Sequence, residues 1–171
     1  MKPGGAWVRA VLVAAVLLAG GCGFHLRSWD LERSVASAYV AASPRHDLAE
    51  PMRRALRQAG IDAAGSRTDA SLVIDLQDHR QERRSASVSG QARAAEYEMI
   101  YAVLYRVSDG AGNELVAPQW IERQRVYRID RDNLVGSSEE QSLLLREMRD
   151  DIVQQILRTL SAVAARAESA G

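Results

Sequence analysis

Lysine is almost absent from this sequence. Lys2 is the only lysine among 171 residues, so arginine carries nearly all of the permanent positive charge. Beyond position 2 the chain therefore offers no P-loop lysine, no Schiff-base lysine and no Ser-Lys dyad. Guanidinium groups stay charged and bind phosphate or carboxylate groups in a bidentate manner. High genomic GC content is the simpler explanation of this bias, but the bias still excludes those lysine-dependent enzyme classes.

Cysteine is equally scarce: Cys22 is the only one, so no disulfide can form within the chain. It follows a positively charged start, an apolar core at 10–18 and three small residues, which is the order of a bacterial lipoprotein signal. The apolar core is far shorter than the ~20 residues that span a bilayer. We therefore predict that residues 1–21 are a signal peptide that is removed and that Cys22 is lipidated. A buried free thiol is the alternative, which an oxidising periplasm disfavours.

The residue after the cysteine indicates where a lipidated protein would go. Gly23 stands there instead of the aspartate that retains bacterial lipoproteins at the inner membrane, so we expect the periplasmic side of the outer membrane. Cleavage would leave 150 of the 171 residues, enough for one domain with its own core. We divide the mature chain into a lipidated linker at 22–33, a single α+β domain at 34–166 and a frayed tail at 167–171.

The mature chain would carry slightly more negative than positive charge. Cleavage removes Lys2 and Arg9, which leaves 20 arginines against 22 acidic residues and a net charge of −2. Together with an envelope location, this balance argues against a nucleic-acid partner.

Hydrophobic periodicity predicts the element order β-α-β-β-β-α. A first strand is expected at 38–42. An amphipathic helix follows, with Asp47 and Glu50 at the spacing of a capping box and Gly60 at its end. A helix between the first two strands favours a parallel pair, so we expect a mixed, mostly antiparallel sheet of four strands.

Three strands are expected in the middle of the chain. Residues 70–78 and 96–107 alternate between apolar and polar side chains, and a further strand lies within 114–129, with a break near Pro118. Between the first two, residues 79–89 keep extended spacing but lose their apolar face. We infer a ribbon whose outer end reaches past the helix-covered core.

The last helix is expected from Ser137 or Ser138 to about Arg166. Its apolar stripe, which we interpret as core rather than as a partner groove, consists of Leu145, Met148, Ile152, Ile156, Leu160 and Val163. Two helices on one face of the sheet form a two-layer α+β sandwich.

Arginines cluster at two places on the predicted ribbon. A solvated strand face is the ordinary explanation of such runs, and an anion-binding role is the alternative. The candidate ligand-binding residues are Arg80, Arg83, Arg84, Arg93, Arg123, Arg125 and Arg128.

No catalytic or metal-binding motif stands out. His25, His46 and His79 are scattered, and no pair of them has the spacing of metal ligands on one helix or hairpin. The chain has no G-x-S-x-G nucleophile elbow and no glycine-rich phosphate loop. We therefore predict no enzyme activity, no catalytic residues, no metal site and no cofactor.

Three stretches together resemble the LptE family of lipopolysaccharide-assembly lipoproteins, formerly called rare lipoprotein B. They are residues 21–27 (GCGFHLR), ribbon residues 83–98 and last-helix residues 145–157. The resemblance spans essentially the whole mature chain. Two departures are Ala19, where a large aliphatic residue usually stands three places before the lipidated cysteine, and the lack of arginine in 133–138.

The resemblance implies an outer-membrane lipoprotein that plugs and helps assemble the LptD β-barrel translocon and binds lipopolysaccharide during its delivery to the outer leaflet. The partners would be an LptD-type barrel, lipopolysaccharide, and the membrane through the N-terminal lipid anchor. The candidate arginines would pair with the phosphates of lipid A and the inner core. The alternative is a structural envelope lipoprotein that scaffolds another complex without a lipid ligand.

Overall fold

Five strands and two helices follow one another in nearly the order that the periodicity indicates. The computed structural model describes residues 35–88, 94–130 and 134–170. Within these residues the elements are β1 (Ser37–Ala42), α1 (Ala49–Gln58), β2 (Asp62–Ala63), β3 (Leu72–Val88), β4 (Ala94–Asp109), β5 (Glu114–Asp130) and α2 (Leu134–Ala170). The predicted signal peptide at 1–21 and linker at 22–33 lie outside the described residues.

The strands form one mixed sheet in the order β2-β1-β3-β4-β5. β1 runs parallel to β2 and β3, while β3, β4 and β5 are antiparallel to one another. The predicted α+β class and mixed sheet are confirmed. The expected number of four strands is wrong by one, because β2 consists of only two exposed residues, Asp62 and Ala63, which are too few to produce an alternating pattern.

The strands β3, β4 and β5 are much longer than the rest of the sheet. They contain 16 or 17 residues each, against six in β1. At ~3.3 Å per residue, 17 residues span roughly 55 Å, whereas the helix α1, with ten residues, spans ~15 Å. The three strands therefore extend beyond α1 and β1. We call this extension the ribbon; it comprises residues 79–88, 94–103 and 121–130.

A bulge in β3 decides which ribbon side chains face the helices. Leu76 pairs with Tyr105, but Asp78 pairs with Leu104, so Gln77 is the extra residue. Side chains alternate along a strand, so one inserted residue exchanges the two faces for everything beyond it. Even-numbered residues of β3 face the helices before the bulge, and odd-numbered residues from His79 to Ser85 face them after it. A second irregularity between Ser85 and Ser87 exchanges the faces again for the last residues of the strand.

The strand β5 is bulged near Pro118 rather than broken, so the expected break is corrected. Tyr105 pairs with Gln119 and Val107 with Val116, so an extra residue of β5 is accommodated there. Because β5 lies at the edge of the sheet, a proline can occupy it without removing a ladder hydrogen bond.

Both helices pack on one face of the sheet and close the hydrophobic core. From α1 the buried residues include Met52 and Leu56. From α2 the fully buried side chains are Met148, Ile152, Ile156 and Leu160. These are four of the six predicted stripe residues, which confirms that the stripe is core. Neither helix in the described part of the chain is both long enough and apolar enough to span a membrane.

The helix α1 begins without the predicted capping box. Its N-cap is Leu48, and no side-chain hydrogen bond caps the first turn. Asp47 binds Tyr101 and Arg149 instead, which turns its carboxylate away from the helix. At the other end Gly60 has a φ of 76°, a left-handed conformation that glycine adopts without a steric penalty, as expected for a helix stop.

Gly110, in the turn between β4 and β5, should not tolerate a side chain. A Cβ there would lie 2.3 Å from the carbonyl oxygen of Ala70, a backbone atom that cannot rotate away. Gly110→Ala is therefore expected to lower the free energy of unfolding by about 1–3 kcal/mol, measured by chemical denaturation followed by circular dichroism. Gly65→Ala is the control, since a Cβ there meets nothing within 4 Å. Equal stability of the two variants would contradict the close approach.

Candidate functional site

The candidate arginines lie on two faces of the ribbon, and the bulge in β3 decides which face each arginine of that strand occupies. We call the face that carries the helices the helix-side face and the opposite one the open face. Strand register places Arg83, Arg123 and Arg125 on the helix-side face and Arg80, Arg84 and Arg128 on the open face. Arg93 and the predicted lipidation site Cys22 lie outside the described residues.

Arginines on the open face are paired with glutamates. The guanidinium group of Arg80 lies 3.6 Å from Glu122 and 4.6 Å from the ring centroid of Trp120. Arg84 lies 2.6 Å from Glu82, whose hydrogen bond raises the pKa of Arg84. Such exposed ion pairs contribute little to stability and exchange readily with other ions.

The third arginine of the open face follows the same rule. Arg128 lies 2.9 Å from Glu96 on the neighbouring strand. The open face is therefore a polar surface whose charges largely neutralise one another. Two exposed apolar side chains, Trp120 and Val126, lie among them.

Two arginines of the helix-side face join β5 to α2. Arg125 makes an ion pair with Asp151 at 2.8 Å. Arg123 donates hydrogen bonds to the side chain of Gln155 and, at 2.8 Å, to the backbone carbonyl of Glu122. Their first role is thus to hold the last helix on the ribbon.

Arg83 differs from the other candidate arginines that the structure describes. Its guanidinium carbon lies 5.1 Å from the ring centroid of Tyr97, and this ring lies 5.9 Å from that of Tyr127. Arg83 is exposed, and within the described ranges it forms no ion pair or side-chain hydrogen bond. A cation held against an aromatic face keeps its N–H groups available for an anion. We call Arg83, Tyr97 and Tyr127 the Arg83 platform.

A polar cluster that the sequence did not reveal lies on the helix-side face, where the ribbon leaves α1. One oxygen of Asp47 accepts a 2.5 Å hydrogen bond from the hydroxyl group of Tyr101, and the other lies 2.6 Å from Arg149. His79 Nε2 is 3.8 Å from the same carboxylate. The rings of His46 and His79 have centroids 4.6 Å apart. We call these five residues the His46 cluster.

Burial sets the protonation of two members of the His46 cluster, Tyr101 and His46. It raises the pKa of Tyr101, and the hydrogen bond to Asp47 acts in the same direction, so this hydroxyl stays protonated. Burial lowers the pKa of His46, and the neighbouring His79 lowers it further. His46 is therefore a neutral imidazole around neutral pH. Arg149 also lies over the ring of Tyr101, at 5.6 Å from its centroid, and supplies the charge that balances Asp47.

The members of the His46 cluster come from four parts of the chain, so residue spacing alone does not reveal the cluster. His46 and Asp47 precede α1, His79 lies on β3, Tyr101 on β4 and Arg149 on α2. Metal-ligand spacing can be recognised only where ligands share one helix or hairpin. The single local hint is that His79 is the first polar side chain on the helix-side face beyond the bulge.

Two helices on one face of a mixed sheet, with an arginine-bearing ribbon beyond them, define a two-layer α+β domain with extended polar surfaces. A family model described as "LptE: Lipopolysaccharide-assembly" matches residues 35–160. The chain therefore belongs to the LptE family, a family of lipopolysaccharide-assembly lipoproteins rather than of enzymes.

Individual relatives agree with this assignment. The chain is 26% identical to the LPS-assembly lipoprotein LptE of Pectobacterium atrosepticum over 159 residues, which cover 90% of this chain and 84% of the relative. It is 28% identical over 160 residues to the protein of the same name from Photorhabdus laumondii, with the same coverage. The crystal structure of the rare lipoprotein B from Shewanella oneidensis superposes with a TM-score of 0.66 at 28% identity, covering 77% of this chain and 98% of that one.

Proposed function

We propose that this protein is an outer-membrane lipoprotein that plugs and helps assemble an LptD-type β-barrel, and that it binds lipopolysaccharide during its delivery to the outer leaflet. Membership of the LptE family over residues 35–160 carries the proposal. Two relatives named LPS-assembly lipoprotein support it. In this proposal, acyl chains on Cys22 hold the domain at the periplasmic leaflet.

The open face of the ribbon suits the polar interior of a barrel. A charge that becomes buried at an interface is costly unless it is paired, and here Arg80, Arg84 and Arg128 already lie beside glutamates. The surface can therefore contact a polar wall without leaving isolated charges. The exposed Trp120 offers an apolar anchor within it.

The Arg83 platform is the best candidate for lipopolysaccharide binding. Lipid A and the inner core carry phosphate groups, which a guanidinium group binds in a bidentate manner. Arg83 has no carboxylate partner within the described residues that a phosphate would have to displace. The partly exposed ring of Tyr97 extends the platform with flat apolar surface beside the charge, and the buried ring of Tyr127 packs against it.

A structural envelope lipoprotein without a lipid ligand is the second candidate. It is favoured by the pairing of the other five described candidate arginines with acceptors in the protein itself. Direct titration of the purified mature domain with lipopolysaccharide separates the two. Saturable binding supports our proposal. Absence of binding would favour the structural lipoprotein without a lipid ligand.

The lipid anchor and the fit inside a barrel should act as two separate attachments. A Cys22→Ala variant, exported through an ordinary cleavable signal, is expected to associate with the barrel more weakly than the parent but still detectably. The measurement is the fraction recovered with an affinity-tagged barrel from detergent extracts, at matched expression. Complete loss of association would show that the acyl chains, and not the domain, provide the main attachment.

A further inference from the structure

We propose that His46, Asp47 and His79 bind a divalent transition-metal ion, for which Zn²⁺ is the best match. One donor atom from each of the three residues can be chosen so that all lie within 4.8 Å of one another. Two imidazoles and one carboxylate are typical zinc ligands, and three protein ligands leave a fourth position for water. This inference is independent of the proposed role in lipopolysaccharide assembly.

The strongest indication is a buried ring nitrogen that makes no well-formed hydrogen bond within the protein. His46 is 5% exposed, and among the described residues its Nε2 atom makes no hydrogen bond of standard distance and angle, although the backbone of Asp78 lies near the ring. A buried polar atom without a partner is costly, and a neutral imidazole is the form that binds metals.

Metal binding would cost His46 the hydrogen bond that its other ring nitrogen, Nδ1, accepts. Nδ1 accepts a 3.3 Å hydrogen bond from the amide of Leu48, so the neutral ring carries its proton on Nε2. Binding through Nε2 moves this proton to Nδ1 and ends the contact with Leu48. Because 3.3 Å is a long hydrogen bond, the loss is small.

The carboxylate is held as metal-bound carboxylates commonly are. Oδ1 of Asp47 accepts from Tyr101 and retains a second lone pair, while Oδ2 is fixed by Arg149. Hydrogen bonds of this kind from residues around a metal site orient the ligand for the ion. The positive charge of Arg149 lowers the affinity for a cation but does not occupy Oδ1.

The geometry requires only a modest adjustment. Metal–ligand bonds of ~2.0–2.2 Å in a tetrahedral site separate neighbouring donors by roughly 3.3–3.6 Å. His79 Nε2 is 3.8 Å from Oδ1 of Asp47, so these two donors already lie close to that separation. The side chain of His79 is one-third exposed and can rotate toward His46, whereas His46 itself is fixed by burial.

A bound ion would act as a clamp on the fold. His46 and Asp47 belong to the segment that leads into α1, and His79 is the first residue of the ribbon in β3. An ion bound by these three residues would join the first residue of the ribbon to the segment before α1. This is the point beyond which the strands extend past α1. The expected consequence is a higher unfolding temperature when the ion is present.

The test uses the full mature chain, purified without a histidine tag and dialysed against a chelator. Titration with Zn²⁺ by calorimetry is expected to show one ion per chain, and Co²⁺ should give the visible absorption of a tetrahedral site. His46→Gln and His79→Gln should each weaken binding at least tenfold. His25→Gln removes the remaining histidine of the chain and should change nothing.

Fold integrity is checked in the same experiment. His79 is partly exposed, so His79→Gln should unfold near the parent temperature without metal and lose only the upward shift that Zn²⁺ produces. Stoichiometric binding that persists in both variants would overturn the proposal, since the ion would then be held elsewhere. Absence of a saturable zinc isotherm and of a zinc-dependent shift in the parent would overturn it as well.

Discussion

Ile152→Ala is expected to lower the free energy of unfolding by about 2–5 kcal/mol, because it removes a fully buried side chain from the middle of α2. The cavity cannot close easily. Met148, Ile156 and Leu160 are fully buried along the same face of α2, so the helix cannot move toward the sheet without disturbing their packing. The full cost of an unfilled cavity should therefore appear in the measured stability.

Chemical denaturation of the mature domain measures this loss, and a residue on the same helix provides the control. Leu143 is 48% exposed, so Leu143→Ala should change the free energy of unfolding by no more than about 0.5 kcal/mol. Similar losses for the two variants would contradict the assignment of the Ile152 side of α2 to the core. The contrast separates burial from helix propensity, since both variants introduce alanine into the same helix.

Arg83→Ala is expected to weaken lipopolysaccharide binding roughly tenfold to a hundredfold, the range for a charge-assisted hydrogen-bond pair. Among the described candidate arginines, Arg83 alone is held by an aromatic ring instead of by a carboxylate or amide. Its full donor set is therefore available to a phosphate. Arg83→Lys should recover only part of the affinity, because an ammonium group keeps the charge but loses the bidentate geometry.

Arg84→Ala is the matched control for Arg83→Ala. The two residues are adjacent, but Arg84 lies on the open face and is paired with Glu82 at 2.6 Å. Its removal should reduce binding much less. Titration of each purified variant with lipopolysaccharide, with circular dichroism to verify the fold, gives the comparison. Equal effects, or no effect at Arg83, would move the binding site away from the Arg83 platform.

Local pattern was sufficient to predict most of the fold. The alternation before Asp78, the stripe through Met148 and Ile156, and the stop at Gly60 each reflect a neighbour relation within one element, so each could be recognised from spacing. The strand β2 cannot be predicted from the sequence because two residues are too few to show the alternation of a strand. The helix α2 begins at Leu134, before the predicted start, because Ser137 and Ser138 have the spacing of a cap but lie inside the helix.

The candidate sites depend on strand register and on contacts between distant residues, which residue spacing within one element does not show. Gln77 is one extra residue in β3, yet it places Arg83 and Arg84 on the faces opposite to those that a regular strand would give. No composition signal marks such a bulge. The capping-box prediction for Asp47 failed for a related reason, because the local amide competed with Tyr101 and a distant guanidinium group for the same carboxylate.

Co-purification with the barrel tests the central proposal most directly. An LptD-type barrel carrying an affinity tag, expressed together with this protein from its full sequence, is extracted in mild detergent and resolved by size-exclusion chromatography. We predict a complex of one copy of each protein that stays intact through detergent exchange. Recovery of this protein as a free monomer, with no barrel bound, would contradict the proposed role as a plug.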